Sequence, residues 1–200
     1  MIDFLDILDK KILIWIHKYG SNSIFDRLMP FITNENNWIL FITLLIFFLA
    51  FRSGKKGKIA LVILIFSLSV TDMLCAQILK PYFERLRPSH LNLEGLNLLV
   101  SKGGKWSLPS NHAANIFSFA VILSYFYNRY KYPLFGIAFL ISFSRVYVGV
   151  HYFGDVLLGA IVGYCISWIL LTLWVILKMR ELKRGQTWVW YQKDPPVFKI

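Results

Sequence analysis

Three short stretches hold side chains suited to handling a phosphate. The first carries Lys80 and Arg87, the second Ser110, Asn111 and His112, and the third Arg145, His151 and Asp155. Together they supply three cations, a hydroxyl, two imidazoles and a carboxylate. Cations neutralise phosphate oxygens, one imidazole can attack phosphorus, and another can protonate the leaving group.

The spacings sharpen this inventory. Lys80 and Arg87 are seven residues apart, so two helical turns place them on one face, with Arg85 pointing elsewhere. Pro81 and Pro88 follow them and should bend or end that helix. Arg offers phosphate a planar fork and Lys a point charge; snorkelling of both cations at the membrane surface is the alternative. Pro109 and Ser110 before an apolar run read as a helix start with Ser110 at the N-cap. The free N–H groups and positive dipole end there suit an anion, which His112 in the first turn would face. A capped helix with an interfacial histidine is the plainer reading. Asp155 follows His151 by one helical turn, so its carboxylate can accept Nδ1–H and leave Nε2 with a free lone pair. A structural His–Asp pair and a metal site are the alternatives. The four histidines (His17, His90, His112, His151) lack zinc-like spacing, so neither metal nor cofactor is expected.

Each stretch ends an apolar segment. Of the 200 residues 56% are hydrophobic and 16% charged, below the roughly 25% charged of soluble domains, which predicts an all-α integral membrane protein. The net charge of +11 comes from Lys and Arg clustered between apolar runs. That pattern points to topology and anionic headgroups rather than to nucleic acid. Five spans are expected: 36–51, 59–79, 113–127, 133–150 and 155–177. Two interfacial helices precede them. Residues 1–19 carry Asp3, Asp6 and Asp9 without a basic start, and Leu5, Leu8, Ile12, Trp15, Ile16 and Tyr19 recur at helical spacing, so neither a secretory signal nor a span is expected there. The second covers 24–33, with Asp26 and Arg27 on its wet side. A single domain results: interfacial helices 1–33, a catalytic bundle 36–177 and a cytoplasmic tail 178–200, whose Trp, Tyr and Pro residues would anchor it in the interface.

Arg52, Lys55, Lys56 and Lys58, then Arg129 and Lys131, then Lys178, Arg180, Lys183 and Arg184 mark three basic places. The positive-inside rule sends them to the cytoplasm and the three chemical stretches outward. The polar loop 89–108 reads as a mobile lid. Cys75 and Cys165 read as packing residues. Asp72, inside the second span, is a functional suspect or a partner for Ser or Thr on another helix. Gly159 and Gly163 predict close helix packing within the protomer.

In this order, a Lys and an Arg-Pro seven residues on, Pro-Ser-x-His, and Ser-Arg followed by His and Asp resemble the type 2 phosphatidic acid phosphatase superfamily of membrane phosphatases. The resemblance spans about residues 26–177. It implies that His151 forms a phosphohistidine, Asp155 orients it, and His112 protonates the lipid oxygen and then activates water. Lys80, Arg87, Arg145 and Ser110 bind phosphate oxygens, with N–H groups at the start of the third span. No metal is implied. Asn111 departs from the usual Gly: its N–H still serves a phosphate oxygen, while its side chain narrows the pocket or adds a hydrogen bond. The compact chain is similar to the lipid A 1-phosphatase branch, acting on a lipid phosphate in a bacterial inner membrane with its site toward the periplasm or exterior. Undecaprenyl diphosphate and phosphatidylglycerol phosphate are the alternative substrates. An inactive lipid-binding or transport protein is the rival of another class, against which the complete His112, His151 and Asp155 set argues. Five apolar spans argue against the soluble haloperoxidases that share these motifs.

Overall fold

The structure, a computed structural model, describes residues 2–190, with side chains from residue 6 onward. Asp3 and Leu5 of the interfacial pattern lie outside the described side chains. Helix α1 (Ile2–Gly20) is followed by α2 (Phe25–Thr33), whose approach is shaped by Asn22: its Oδ1 accepts the N–H groups of Ile24 and Phe25 at 3.2 and 3.0 Å. Asn34 repeats the device, accepting from the Asn36 N–H at 3.1 Å and opening a 3₁₀ turn. That turn leads into α3 (Ile39–Phe47), then α4 (Gly54–Met73), which runs on into the short α5 (Lys80–Phe83). The bundle is completed by α6 (Asn111–Phe126), α7 (Lys131–Tyr147) and α8 (Phe153–Lys183).

The chain is an all-α membrane protein, with no strand among the described residues. Each of the five expected spans falls on helix, the fourth ending at Tyr147, short of the expected residue 150. Three stretches are long and apolar enough to cross a membrane: Glu35–Arg52, Gly54–Phe83 and Phe153–Lys183. Helices α6 and α7, with 16 and 17 residues, are shorter, because at ~1.5 Å per residue they run about 24–26 Å.

Helix α6 is the central post, packed against α4, α7 and α8. Its small residues allow this: Ala113, Ala114, Ser118 and Ala120 are fully buried. The facing Gly159 and Gly163 of α8 do the rest, since a Cβ at Gly163 would collide with the Ala114 carbonyl and one at Gly159 with that of Ser110. The expected close packing is therefore within the protomer. Ser67, Ser118 and Ser167 tie α4, α6 and α8 by buried hydrogen bonds of 2.8 to 3.0 Å. Removed from water, such hydroxyls hold helices together.

The two N-terminal helices do more than lie in the interface. Helix α1 turns Asp9, Leu13, Ile16 and His17 inward and leaves Leu8, Trp15 and Tyr19 exposed. Thus the face it turns to the protein is mixed, with Asp9 and His17 beside Leu13 and Ile16, while Lys11 and Lys18 stay exposed. His17 Nδ1 accepts the Asn97 N–H at 3.2 Å, which leaves Nε2 to donate to the Val146 carbonyl at 3.4 Å. Asp26, expected on the wet side, instead accepts the Tyr147 hydroxyl at 2.6 Å, while Arg27 is exposed.

The loop 89–108 is pinned rather than free. Ser89 donates to the Lys102 carbonyl at 2.8 Å, the Leu99 N–H reaches Val148, and Leu93, Leu96, Leu98, Leu99 and Val100 pack on the core. These apolar residues are half-buried, while the residues between them, such as Asn92, Glu94 and Asn97, and residues 101–105 stay exposed.

The three basic places gather at the other end of the bundle. Lys56 lies over the rings of Tyr127 and Trp190, and Lys178 over that of Trp190. Trp190 itself packs at a tilt against the Phe126 ring and Val189 is buried, so the tail folds back on the bundle this far. Its remainder lies outside the described residues.

Candidate active site

The three chemical stretches meet at the end of the bundle opposite the basic loops. Arg145, His151, Arg87 and Lys80 all lie close enough to His112 to act on its charge. Arg145 ends α7 and is buried; its Nη1 donates to Thr33 Oγ1 of α2 at 2.6 Å. Gly149, with φ +82°, lets the chain reverse between α7 and α8 where a side chain would be strained. His151 lies in that turn, its N–H bonded to the Arg145 carbonyl at 3.3 Å.

Lys80 and Arg87 share the site for a reason the helical spacing did not give. The helix ends at Phe83, Glu84 takes φ 45°, and residues 85–87 run extended. Arg87 is held there by its Nε–H to the Trp106 carbonyl at 3.1 Å and its N–H to Lys105 at 3.2 Å. Extended chain also turns Arg85 inward, correcting the expectation that it points elsewhere. Arg85 pairs with Asp6, Asp9 and Asp155 at 2.9, 2.8 and 2.8 Å and lies over the Tyr152 ring. Burial opposes its charge, yet these carboxylates outweigh that and raise its pKa above the ordinary arginine value.

His151 is buried, as is Asp155. Their direct contact, Nδ1 to Oδ2, is 3.5 Å, an ion-pair distance longer than a hydrogen bond. Ser107 fills the gap. Its hydroxyl donates to Asp155 Oδ2 and stands 3.2 Å from His151 Nδ1. The proton order is therefore His151 Nδ1–H to Ser107 Oγ, and Ser107 O–H to Asp155. The free lone pair is left on Nε2, as the spacing argument required, but through an interposed serine. Asp155 also accepts the Tyr152 N–H at 2.8 Å, capping α8. Burial pulls the His151 pKa down most; the Asp155 carboxylate raises it, and Arg87 and Arg145 lower it, leaving it at about 4. His151 is thus neutral at pH 7.

Ser110 caps α6 as expected, its Oγ accepting the Ala113 N–H at 3.5 Å. The Asn111 side chain turns to Asp72 at 2.7 Å. That contact answers the question left at Asp72: its partners are amides of α6, not Ser or Thr. A cavity of about 420 Å³ runs from Asn111 and His112 down between α3, α4, α6 and α7. Phe41, Leu45, Leu64, Phe119 and Ile137 are among the apolar residues lining it. Among the described residues no group of three His, Cys, Asp or Glu could hold a metal ion.

Arg85 gives a stability prediction. Arg85→Gln leaves Asp155 and Asp9 without their shared cation. Breaking such a buried pair costs about 3–5 kcal/mol, so thermal unfolding in detergent should shift down by several degrees. Exposed Arg27→Gln serves as the control and should not move it. Equal melting of the two variants would remove Arg85 from the account of Asp155.

The profile of the PAP2 superfamily matches residues 59–178, more than half the chain. The chain belongs to the PAP2 superfamily. Lipid A 4'-phosphatase of Bacteroides thetaiotaomicron is 31% identical over 177 residues, covering 84% of this chain and 78% of that protein. Lipid A 1-phosphatase of Rhizobium etli is 26% identical over 143 residues, covering 64% and 62%. The crystal structure of Aquifex aeolicus LpxE is 30% identical, with a TM-score of 0.66 over 81% of this chain and 93% of that one. This PAP2 chain is therefore a member of a family of membrane lipid phosphatases. Its motif residues all come to one place. Ser107, Arg85 and Asp9 are what sequence reasoning missed. Extended spacing from Glu84 would have put Arg85 and Arg87 on one side, whereas nothing in its position marks Ser107.

Proposed function

We propose that this protein removes a phosphate from lipid A through a phosphohistidine on His151, without a metal ion. The observation that carries this reading is the place of His112: it heads the apolar cleft, while His151 stands outside the cleft lining. A lipid tail in the cleft brings its phosphoester oxygen to His112 and its phosphorus to His151. Burial and the neighbouring cations lower the His112 pKa to about 3, and the negative charge of a bound phosphate offsets those cations so that His112 takes up a proton. His151 Nε2 then attacks, the P–O bond to the lipid breaks, and His112 gives that proton to the leaving oxygen. His112 then takes a proton from water, the water attacks phosphorus, and the P–N bond breaks to release inorganic phosphate. Lys80, Arg87, Arg145 and the N–H groups at the start of α6 neutralise the equatorial oxygens, the electrostatic work that phosphoryl transfer chiefly needs. Ser110 and Asp155 hold the frame.

The 4'-phosphate is favoured as the scissile group by the Bacteroides relative, which covers most of both chains. The 1-phosphate, the expectation from the compact chain, is the second reading and has the Rhizobium relative behind it. The basic loops at the far end support a site facing the periplasm or exterior of a bacterial inner membrane. Residues 1–33, 36–177 and 178–200 act as one domain.

The test compares kcat/KM in matched detergent micelles, with excess EDTA throughout. The substrates are lipid A, undecaprenyl diphosphate, phosphatidylglycerol phosphate and a soluble aryl phosphate. Lipid A should lead, with product analysis naming the phosphate lost, and EDTA should change nothing. Better turnover of the aryl phosphate would overturn the lipid reading. A tenfold lead for undecaprenyl diphosphate would move the substrate, and recovery only on added Mg²⁺ would refute the metal-free mechanism.

A further inference from the structure

Asp72 is a carboxylate within a membrane-spanning helix that the chemistry above does not use. Its Oδ1 accepts Nδ2–H bonds from Asn111 at 2.7 Å and Asn115 at 3.3 Å. The two asparagines are one turn apart on α6 and share a face. Both amides turn their NH₂ groups to this carboxylate oxygen, which accepts from them, and their carbonyl oxygens away. Those two Oδ1 atoms are buried and without a partner among the described residues. Buried acceptors of this kind are ordinarily paired. All three side chains line the cleft headed by His112, and Asn111 is its neighbour in sequence. The result is a pair of unpartnered acceptors, beside the one N–H that each amide has left over, just where a substrate passes from its phosphate to its tail.

We propose that Asp72, Asn111 and Asn115 form a subsite for hydrogen-bond donors, hydroxyl or amide N–H, on the group next to the scissile phosphate. A sugar or polyol phospholipid supplies such donors. A phosphate carried on an isoprenoid or on a fully acylated glycerol does not. A site built to pair with a donor rejects an analogue lacking it, because its own acceptors are then left unpaired. The inference rests on the lipid-phosphatase reading of the His112 site, and it deepens that reading by naming what selects the headgroup.

The experiment uses the whole protein with Asp72→Leu and, separately, Asn115→Leu. Leucine in place of an intramembrane carboxylate favours insertion, which guards against simple misfolding. Three substrates are compared: lipid A, phosphatidylglycerol phosphate with its hydroxyl on the carbon next to the phosphoester carbon, and phosphatidic acid with none. We expect kcat/KM to fall tenfold or more for the first two and to stay within twofold for phosphatidic acid. A parallel fall on all three would make the cluster a structural support and overturn the subsite. No change on any would overturn it too, leaving the oxygens to water. If the unaltered protein cleaves both glycerolipids but not lipid A, the lipid A reading fails. The ratio between those two glycerolipids still decides the subsite.

Discussion

Replacing His151 with alanine should abolish phosphate release, by about 10⁴-fold or more, the scale seen when a nucleophile is taken from a unit whose members act together. The side chain is neutral at pH 7, with its pKa at about 4, and its Nδ1 is committed to Ser107 and Asp155. Nε2 is thus the one nitrogen it can offer phosphorus. Asp155→Asn should be milder for catalysis, because the nucleophile remains while its tautomer is no longer enforced. It also weakens the pairing with Arg85, so each rate is read beside a melting curve in the same detergent. Phosphate release near the unaltered rate by a folded His151→Ala protein would end the covalent mechanism.

His112→Ala should lower kcat/KM for a lipid phosphate by about 10²–10⁴-fold, the usual worth of a placed general acid. The size should depend on the leaving group. An alkoxide on a sugar or glycerol needs a proton as it departs, whereas a nitrophenolate does not. The variant should therefore lose far less on a nitrophenyl phosphate, however poor that substrate is at the start. Equal losses on both would place His112 in phosphate binding rather than proton transfer. The position of His112 at the head of the apolar cleft is the reason for expecting the unequal result.

Much of this site could be read from residue types alone, because phosphoryl transfer needs cations, imidazoles and a carboxylate, and few sequences place all of them at the ends of apolar runs. The helical elements were legible for a similar reason: long apolar stretches admit few other structures in a membrane. Register was less legible. Lys80 and Arg87 looked like neighbours on a helix, yet Glu84 breaks that helix, and tertiary bonds from residues 105 and 106 bring Arg87 back. The loop 89–108 looked polar enough to be a lid, but its leucines are spaced to bury. Ser107 could not be found, because its partners His151 and Asp155 lie more than 40 residues away. Asp6 and Asp9 spoke only against a secretory signal, and only the docking of α1 shows them meeting Arg85.

The central claim is that phosphorus becomes bonded to His151 during turnover. The most direct measurement mixes the protein with ³²P-labelled lipid A, quenches in alkali within the first turnover, and maps the labelled peptide. Alkali preserves a phosphohistidine, and acid releases its phosphate. The account predicts an acid-labile, alkali-stable label on the peptide containing His151, absent from His151→Ala. Full turnover with no label at any quench time, or a label on another residue, would contradict it.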